Sequence, residues 1–128
     1  MIDMAKEEVK RWLQLAKDDL KSAQVNFQSK QYYVCVFLCQ QSVEKALKSL
    51  LIKKTGTLIK IHDLVILGKK VGLPEYLLEK CDKLNTVYID TRYGDVGGEL
   101  PSKKFTKPVS QEFLKMGKEI VKWLKKQI

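Results

Sequence analysis

The sequence predicts an all-α protein, an up-and-down antiparallel four-helix bundle with one additional short helix. Apolar residues recur every three or four positions along most of the 128-residue chain, which places them on one side of an α-helix. No stretch shows the strict alternation of apolar and polar residues that is typical of strands. Most of the expected connections are short, and short connections favour antiparallel neighbours.

The first two predicted helices are long. The first, residues 3–28, has one apolar stripe and a charged opposite face; the stripe consists of Ala5, Val9, Trp12, Leu13, Ala16, Leu20, Ala23 and Phe27. The second, residues 30–54, has a main apolar stripe and a further apolar streak on its reverse side, formed by Val34, Leu38 and Ile52. A helix that is apolar on two sides is either central to a bundle or covered by another subunit.

The second half of the chain predicts three more helices. A short one begins near His62 and Asp63, either of which can cap it, and ends near Gly72. The next follows Pro74, and Arg92 continues its apolar row. A loop of about sixteen residues, 93–108, contains three glycines and two prolines, and this length favours a functional or mobile role. The last helix, residues 109–127, has lysines on the face opposite its apolar one.

The composition excludes several classes of protein. The longest apolar run, residues 34–39, is too short to span a bilayer, and the N-terminal residues do not form a secretory signal. Three cysteines without a metal-ligand spacing and a single histidine argue against a zinc site, so neither metal nor cofactor is expected. We expect one cytoplasmic domain, residues 1–128. Its net charge of +9 favours anionic partners, and residues 101–128 alone carry eight basic and two acidic groups.

Candidate site residues are the polar side chains that interrupt apolar patterns, because a buried polar group must be hydrogen-bonded or paired. They are Gln40, Gln41, Glu44, Lys45, His62, Arg92, Tyr93 and Asp95. Glu44 and Lys48 have the spacing of an ordinary helix-surface ion pair. Hydrogen bonds across a dimer interface explain the glutamines and Lys45 as well as a ligand does.

Two of these residues, Arg92 and His62, are the candidates for binding an anion or for catalysis. Arg92 offers five donors that suit a phosphate or carboxylate. Alternatively, it forms a structural salt bridge with Glu44, Asp90 or Asp95 that ties the loop to the bundle. His62 is a cap or surface residue, or it is a general acid–base group, because it is the side chain that titrates near neutral pH.

The chain resembles the HEPN family (higher eukaryotes and prokaryotes nucleotide-binding domain) in its small stand-alone prokaryotic form. The resemblance rests on the order and spacing of four segments: Ala16-Lys17-Asp18-Asp19-Leu20, Gln40-Gln41-Ser42-Val43-Glu44-Lys45-Ala46-Leu47-Lys48, His62-Asp63-Leu64, and Thr91-Arg92-Tyr93 with Asp95. It implies a helical bundle that is usually a homodimer and often the operon partner of a minimal nucleotidyltransferase (MNT) in toxin–antitoxin-like pairs.

Many HEPN proteins are metal-independent ribonucleases that use an arginine followed, four to six residues later, by a histidine. This chain departs from that pattern, because no histidine follows Arg92 and His62 precedes it. Three hypotheses therefore stay open. The first is a binding module that holds a nucleotide phosphate or an MNT partner through Arg92, Tyr93, His62, Gln41 and Lys45. The second is a ribonuclease with a non-standard His62 and Arg92 site. The third is a purely structural interaction subunit whose basic last helix docks an acidic surface.

Overall fold

The computed structural model describes residues 4–93 and 99–128, without the side chains of residues 88–93. The described residues form six helices and no strand, so the predicted all-α bundle of four long helices with a short addition is confirmed. The helices are α1 (Met4–Gln28), α2 (Tyr32–Thr55), α3 (Leu64–Val71), α4 (Glu75–Tyr93), α5 (Pro101–Lys104) and α6 (Lys107–Gln127). Within these residues, no helix is both long enough and apolar enough to cross a membrane.

Two helix boundaries differ from the predicted ones for local reasons. Between α1 and α2, Lys30 adopts a φ of 63°, and the backbone N–H of Gln31 donates to the carbonyl of Asn26 at 2.8 Å. This left-handed residue ends α1 and delays the start of α2. Helix α6 begins two residues early, because Pro108 fits in its first turn. The one-turn α5 occupies part of the predicted loop, and residues 94–98 lie outside the described chain.

Side-chain hydrogen bonds fix the register between α1 and α2. The hydroxyl of Ser42 donates to the carbonyl of Ala16 at 2.6 Å, and that of Ser49 donates to the carbonyl of Val9 at 2.7 Å. Since the residue number rises along α2 while it falls along α1, the two helices are antiparallel. All four residues are buried, and small side chains allow the helices to approach closely.

Helix α2 is the central element of the fold. It contacts each of the other described helices, and most of its residues from Cys35 to Ile52 are buried. Contacts within one protomer therefore bury the main apolar stripe of α2 and Ile52 of the reverse streak, while Val34 and Leu38 are only partly buried. Helix α6 runs parallel to α2, since Ser110 bonds to Tyr32 and Lys53 bonds to Ile128 at the other end.

Asp63 caps α3 and ties it to α4. Its carboxylate accepts hydrogen bonds from the backbone N–H groups of Val65 and Ile66 and from the side chain of Asn85, at 2.9, 3.1 and 3.0 Å. Asn85 in turn accepts from the backbone N–H of Leu64 at 2.8 Å. Of the two predicted caps, Asp63 is therefore the one used. Burial opposes ionisation, but the hydrogen bonds outweigh it and lower the pKa of Asp63 below its usual 3.8.

Substituting Asp63 by alanine is expected to lower the free energy of unfolding by about 1 kcal/mol at pH 7, as loss of an N-cap does. Because the folded pKa is depressed, the carboxylate stabilises the fold fully above the unfolded pKa of about 3.9. This contribution is lost as the pH falls below 4 through the folded pKa. Urea unfolding between pH 2.5 and 7 measures both effects.

Asp63→Asn is the matched control for this titration, since asparagine caps a helix without ionising. Its free energy of unfolding at pH 7 should be close to that of wild type. It should not show the loss of stability at low pH that is due to protonation of Asp63. If wild type and Asp63→Asn show the same pH profile below pH 4, the carboxylate does not contribute as the hydrogen bonds indicate.

Candidate functional site

Four polar side chains meet at the middle of α2, and we call them the Glu44 cluster: Gln40, Glu44, Lys48 and His62. One carboxylate oxygen of Glu44 accepts a hydrogen bond from the ammonium of Lys48 at 2.9 Å and lies 3.0 Å from Nδ1 of His62. The other oxygen accepts from the amide of Gln40 at 3.3 Å. Glu44 is therefore the hub of the cluster.

The cluster has a buried part and a solvent-exposed part. Gln40 is fully buried, and Glu44 and Lys48 are each 5 % exposed, whereas the side chain of His62 is 60 % exposed. The predicted surface pair of Glu44 and Lys48 is thus wrong, since the pair is buried. Buried opposite charges satisfy each other, so the group that a ligand can reach in this cluster is the imidazole of His62.

The local sequence explains how each group reaches the hub. Gln40, Glu44 and Lys48 are four residues apart on α2 and therefore lie above one another on one face. His62 comes from the segment before α3, eighteen residues from Glu44. The cap at Asp63, fixed to Asn85 of α4, holds this segment in place.

The contact between Glu44 and His62 has a chemical consequence. A carboxylate at Nδ1 favours the tautomer with the proton on that nitrogen and fixes the orientation of the ring. More than half of the side chain is exposed, and with Nδ1–H directed at Glu44 the neutral ring can accept a proton, whereas the protonated ring can donate to a phosphate.

The structure places two other predicted site residues beside the cluster. Gln41 donates to the amide oxygen of Gln40 at 2.6 Å and so extends the network. Lys45 instead pairs with Asp19 of α1 at 2.5 Å, and both side chains are partly buried. These polar interruptions of α2 therefore have partners within the protomer.

The structure does not test the site roles predicted for Arg92, Tyr93 and Asp95. Arg92 and Tyr93 lie in the last turn of α4, but their side chains are outside the described residues, as is all of Asp95. Asn85, which contacts the residue next to His62, precedes Arg92 by two helical turns, or about 10 Å along the axis. The approach of His62 and Arg92 to one phosphate stays a prediction.

Trp12 is a neighbour of the cluster that the sequence pattern assigned only to the apolar stripe of α1. The ammonium of Lys48 lies 5.7 Å from the centre of its ring, which is a cation–π distance. Among the described residues, the indole nitrogen of Trp12 is buried without a hydrogen-bond partner. Trp12 is therefore a neighbour of the candidate site that spacing alone did not indicate, and Lys48 is a member that the spacing placed at the surface.

The three cysteines are buried and form no disulfide. Burial, reinforced by the charge of Asp63, raises the pKa of the Cys81 thiol to about 12. A hydrogen bond with Cys35, together with burial, raises the pKa of the Cys39 thiol. Neither thiol is ionised near neutral pH, so neither is a nucleophile there. Among the described residues, no three histidine, cysteine, aspartate or glutamate side chains are grouped to hold a metal ion.

Comparisons with known proteins identify the family and the fold. The family model of the HEPN domain matches residues 9–127. The crystal structure of TT1696 from Thermus thermophilus is similar, with a TM-score of 0.86, 27 % identity, and coverage of 94 % of this chain and 98 % of that one. The crystal structure of ST0689, an archaeal HEPN homologue, is similar with a TM-score of 0.79, 29 % identity, and coverage of 93 % and 96 %. No curated protein matches the chain.

Proposed function

Because the chain belongs to the HEPN family, we propose that it is a helical module that binds a nucleotide or a related anion. In this proposal it works with a protein partner, a minimal nucleotidyltransferase, in a toxin–antitoxin-like pair. The observation that carries the ligand half is the exposed His62 ring, held at 3.0 Å by a buried carboxylate.

The energetics of the Glu44 cluster support a role beyond stability. Removing two charges from water is expensive, and a buried ion pair often stabilises a fold less than apolar residues of similar size. Such a pair is better explained when it holds another group in place. Here Glu44 joins Lys48 to His62, so the buried pair orients an exposed ring.

In this proposal the attraction of an anion comes from Arg92 and from protonated His62, and not from the lysines of α2. The charges of Glu44 and Lys48 compensate each other, and Lys45 is compensated by Asp19. In our proposal the phosphate is bound by Arg92 and by the protonated form of His62, because charge-assisted hydrogen bonds to phosphate are short and strong. Tyr93 and Asp95 contact the nucleotide beside it, and Gln40, Gln41 and Lys45 support the site from α2.

We further propose that residues 1–128 act as one domain and that this domain forms a homodimer in the cytoplasm. HEPN domains often form dimers. The buried, unpaired cysteines are compatible with a reducing compartment. Of the reverse apolar streak of α2, Ile52 is buried in the protomer, whereas Val34 and Leu38 are only partly buried and are available to a partner subunit.

Nucleotide binding is expected to depend on Arg92 and His62. Titration calorimetry with nucleoside mono-, di- and triphosphates should show binding to wild type, and Arg92→Ala and His62→Ala should each raise Kd about tenfold or more. Loss of a hydrogen bond to a charged group accounts for a change of this size.

Arg11→Ala is the matched control, because it removes an arginine that is exposed on α1 and 4.0 Å from Glu8. It should leave Kd unchanged. If wild type binds none of the nucleotides, or if Arg92→Ala binds as well as wild type, the ligand half of the proposal is wrong. Coexpression with a minimal nucleotidyltransferase encoded beside this protein, followed by size-exclusion chromatography, tests the partner half.

A metal-independent ribonuclease is the second candidate function. The specific observation in its favour is again the contact between Glu44 and His62, since a carboxylate-oriented imidazole is a common general acid–base arrangement. Arg92 would then stabilise the charge that develops on the phosphate. Incubation with RNA in the presence of a chelator separates the two candidates, because a binding module leaves the RNA intact.

A further inference from the structure

A groove runs between α1 and α6 on a side of the bundle that shares no residue with the Glu44 cluster. Two adjoining depressions, of about 450 and 410 Å³, share Gln24 and Lys118 and together form this α1–α6 groove. The helices are antiparallel here, since Phe27 lines the end near Pro108 and Lys17 lines the end near Lys125.

The groove is strongly basic on both walls. Its walls carry five exposed lysines, namely Lys17, Lys21, Lys115, Lys118 and Lys125, and its one described acidic residue is Glu112. Lys118 reaches across the groove to the side-chain oxygen of Gln24 at 2.5 Å. The ion pairs formed within the described part of the chain include none of these five lysines.

The side of α6 that faces α4 carries both acidic and basic groups, unlike the groove. There Glu119 pairs with Lys80 of α4 at 3.3 Å, so basic and acidic groups alternate between the helices. In the groove, by contrast, Lys115, Lys118 and Lys125 of α6 and Lys17 and Lys21 of α1 form no ion pair with a described residue. A positive, concave surface of this kind attracts anionic partners over a distance.

The floor of the groove is apolar. It is formed by Leu20 of α1 together with Leu114 and Val121 of α6. The methylene stems of the lysines add apolar wall above it, while their ammonium groups stay in water. A floor of this type below two cationic rims complements a helix that has an apolar stripe flanked by carboxylates.

Nucleic acid fits this groove less well. Single-stranded RNA binds by stacking its bases on exposed aromatic rings. The one ring that lines the described groove, Phe27, is half-buried and packs edge-to-face against Tyr32, with 5.7 Å between ring centres. Phosphate contacts alone would leave the apolar floor without a partner.

We propose that the α1–α6 groove docks an acidic amphipathic helix of a partner protein. From Lys17 to Phe27 the groove follows ten residues of α1, or about 15 Å, which corresponds to about three turns of a docked helix. Aspartate and glutamate residues of that helix face the lysine walls, and its apolar stripe lies on the floor. This surface is separate from the proposed nucleotide site, so either assignment can fail without the other.

A synthetic helical peptide tests the proposal directly. The probe is a fluorescein-labelled, 14-residue peptide with apolar residues at positions i, i+3, i+4 and i+7 and glutamates on both flanks, measured by fluorescence anisotropy. Wild type should bind it, and Lys17→Glu/Lys21→Glu and Lys118→Glu/Lys125→Glu should each raise Kd about tenfold or more. Lys60→Glu/Lys83→Glu, which makes the same change of charge outside the groove, should change Kd less than about twofold.

Two further arms separate a docked helix from non-specific attraction. A scrambled peptide of the same composition, without the apolar stripe, should bind about tenfold more weakly than the helical one. A 20-nucleotide single-stranded RNA should not displace the helical peptide at equal concentration. Equal binding of the scrambled peptide, displacement by the RNA, or a control variant as weak as the groove variants would each overturn the proposal. Circular dichroism of every variant confirms that the bundle is folded.

Discussion

Replacing Glu44 by glutamine is expected to lower the free energy of unfolding by about 3 kcal/mol, the cost of leaving one charge of a buried ion pair without its partner. The ammonium of Lys48, 5 % exposed, would keep a neutral amide in place of the carboxylate at 2.9 Å. Its other close neighbour is the ring of Trp12, which offsets only part of the loss. Urea unfolding at pH 7 measures the effect.

The double variant Glu44→Gln/Lys48→Met shows whether the pair is responsible. If the pair is responsible for the loss, Lys48→Met should lower the free energy of unfolding much less in the Glu44→Gln protein than in wild type. In the Glu44→Gln protein this substitution removes a buried ammonium that has already lost its carboxylate partner. Glu119→Gln is the control, since it breaks a more exposed pair with Lys80 and should change stability by less than about 1 kcal/mol. Equal losses for Glu44→Gln and Glu119→Gln would contradict the assignment of Glu44 as the buried hub.

The Glu44 cluster also shows where the sequence stops predicting the structure. The spacing of Glu44 and Lys48 is the same for a surface pair and for a buried one, so it cannot distinguish them. The pair is buried because α2 is surrounded by α1, α3, α4, α5 and α6, and this depends on how distant segments pack. The local spacing therefore predicted the contact between Glu44 and Lys48, but it did not predict that the pair would be buried.

Contacts between residues that are far apart in the chain could not be predicted from the sequence for the same reason. Lys45 pairs with Asp19, which is twenty-six residues away, and no pattern within either helix signals this. His62 contacts Glu44 from a segment whose next residue, Asp63, is hydrogen-bonded to Asn85 of α4. Lys45, Glu44 and His62 were identified in the sequence as polar interruptions, but the tertiary fold determines which residues they pair with.

The helices themselves were predictable because their signal is local and repeated. The single stripe of α1 and the two-sided pattern of α2 each extend over more than twenty residues, so that one irregular position does not hide the period. The one-turn α5 has too few residues to show a period, and the predicted loop therefore contained a helix that periodicity could not find.

Gly117→Leu is expected to lower the free energy of unfolding by about 3 kcal/mol, because it overpacks the contact between α6 and α2. A Cβ atom added at Gly117 would lie 3.3 Å from Cβ of Cys39, and 3.8 Å from its backbone Cα atom. The neighbouring atoms belong to the central helix, which is held by contacts on its other sides, so α2 has little freedom to move away. Thermal or urea unfolding measures the loss.

Two matched variants separate overpacking from the intrinsic effect of losing glycine. Gly117→Ala gains about 0.5–1 kcal/mol from better helix propensity, which should largely offset the tight contact with Cys39, so its net change should be small. Lys122→Leu places the same side chain at an exposed position of α6 and should change stability by less than about 0.5 kcal/mol. A Gly117→Leu protein as stable as wild type would mean that α6 does not approach α2 as closely as the contact with Cys39 requires. Because α6 forms one wall of the α1–α6 groove, the same measurement also tests whether that wall is packed tightly against α2.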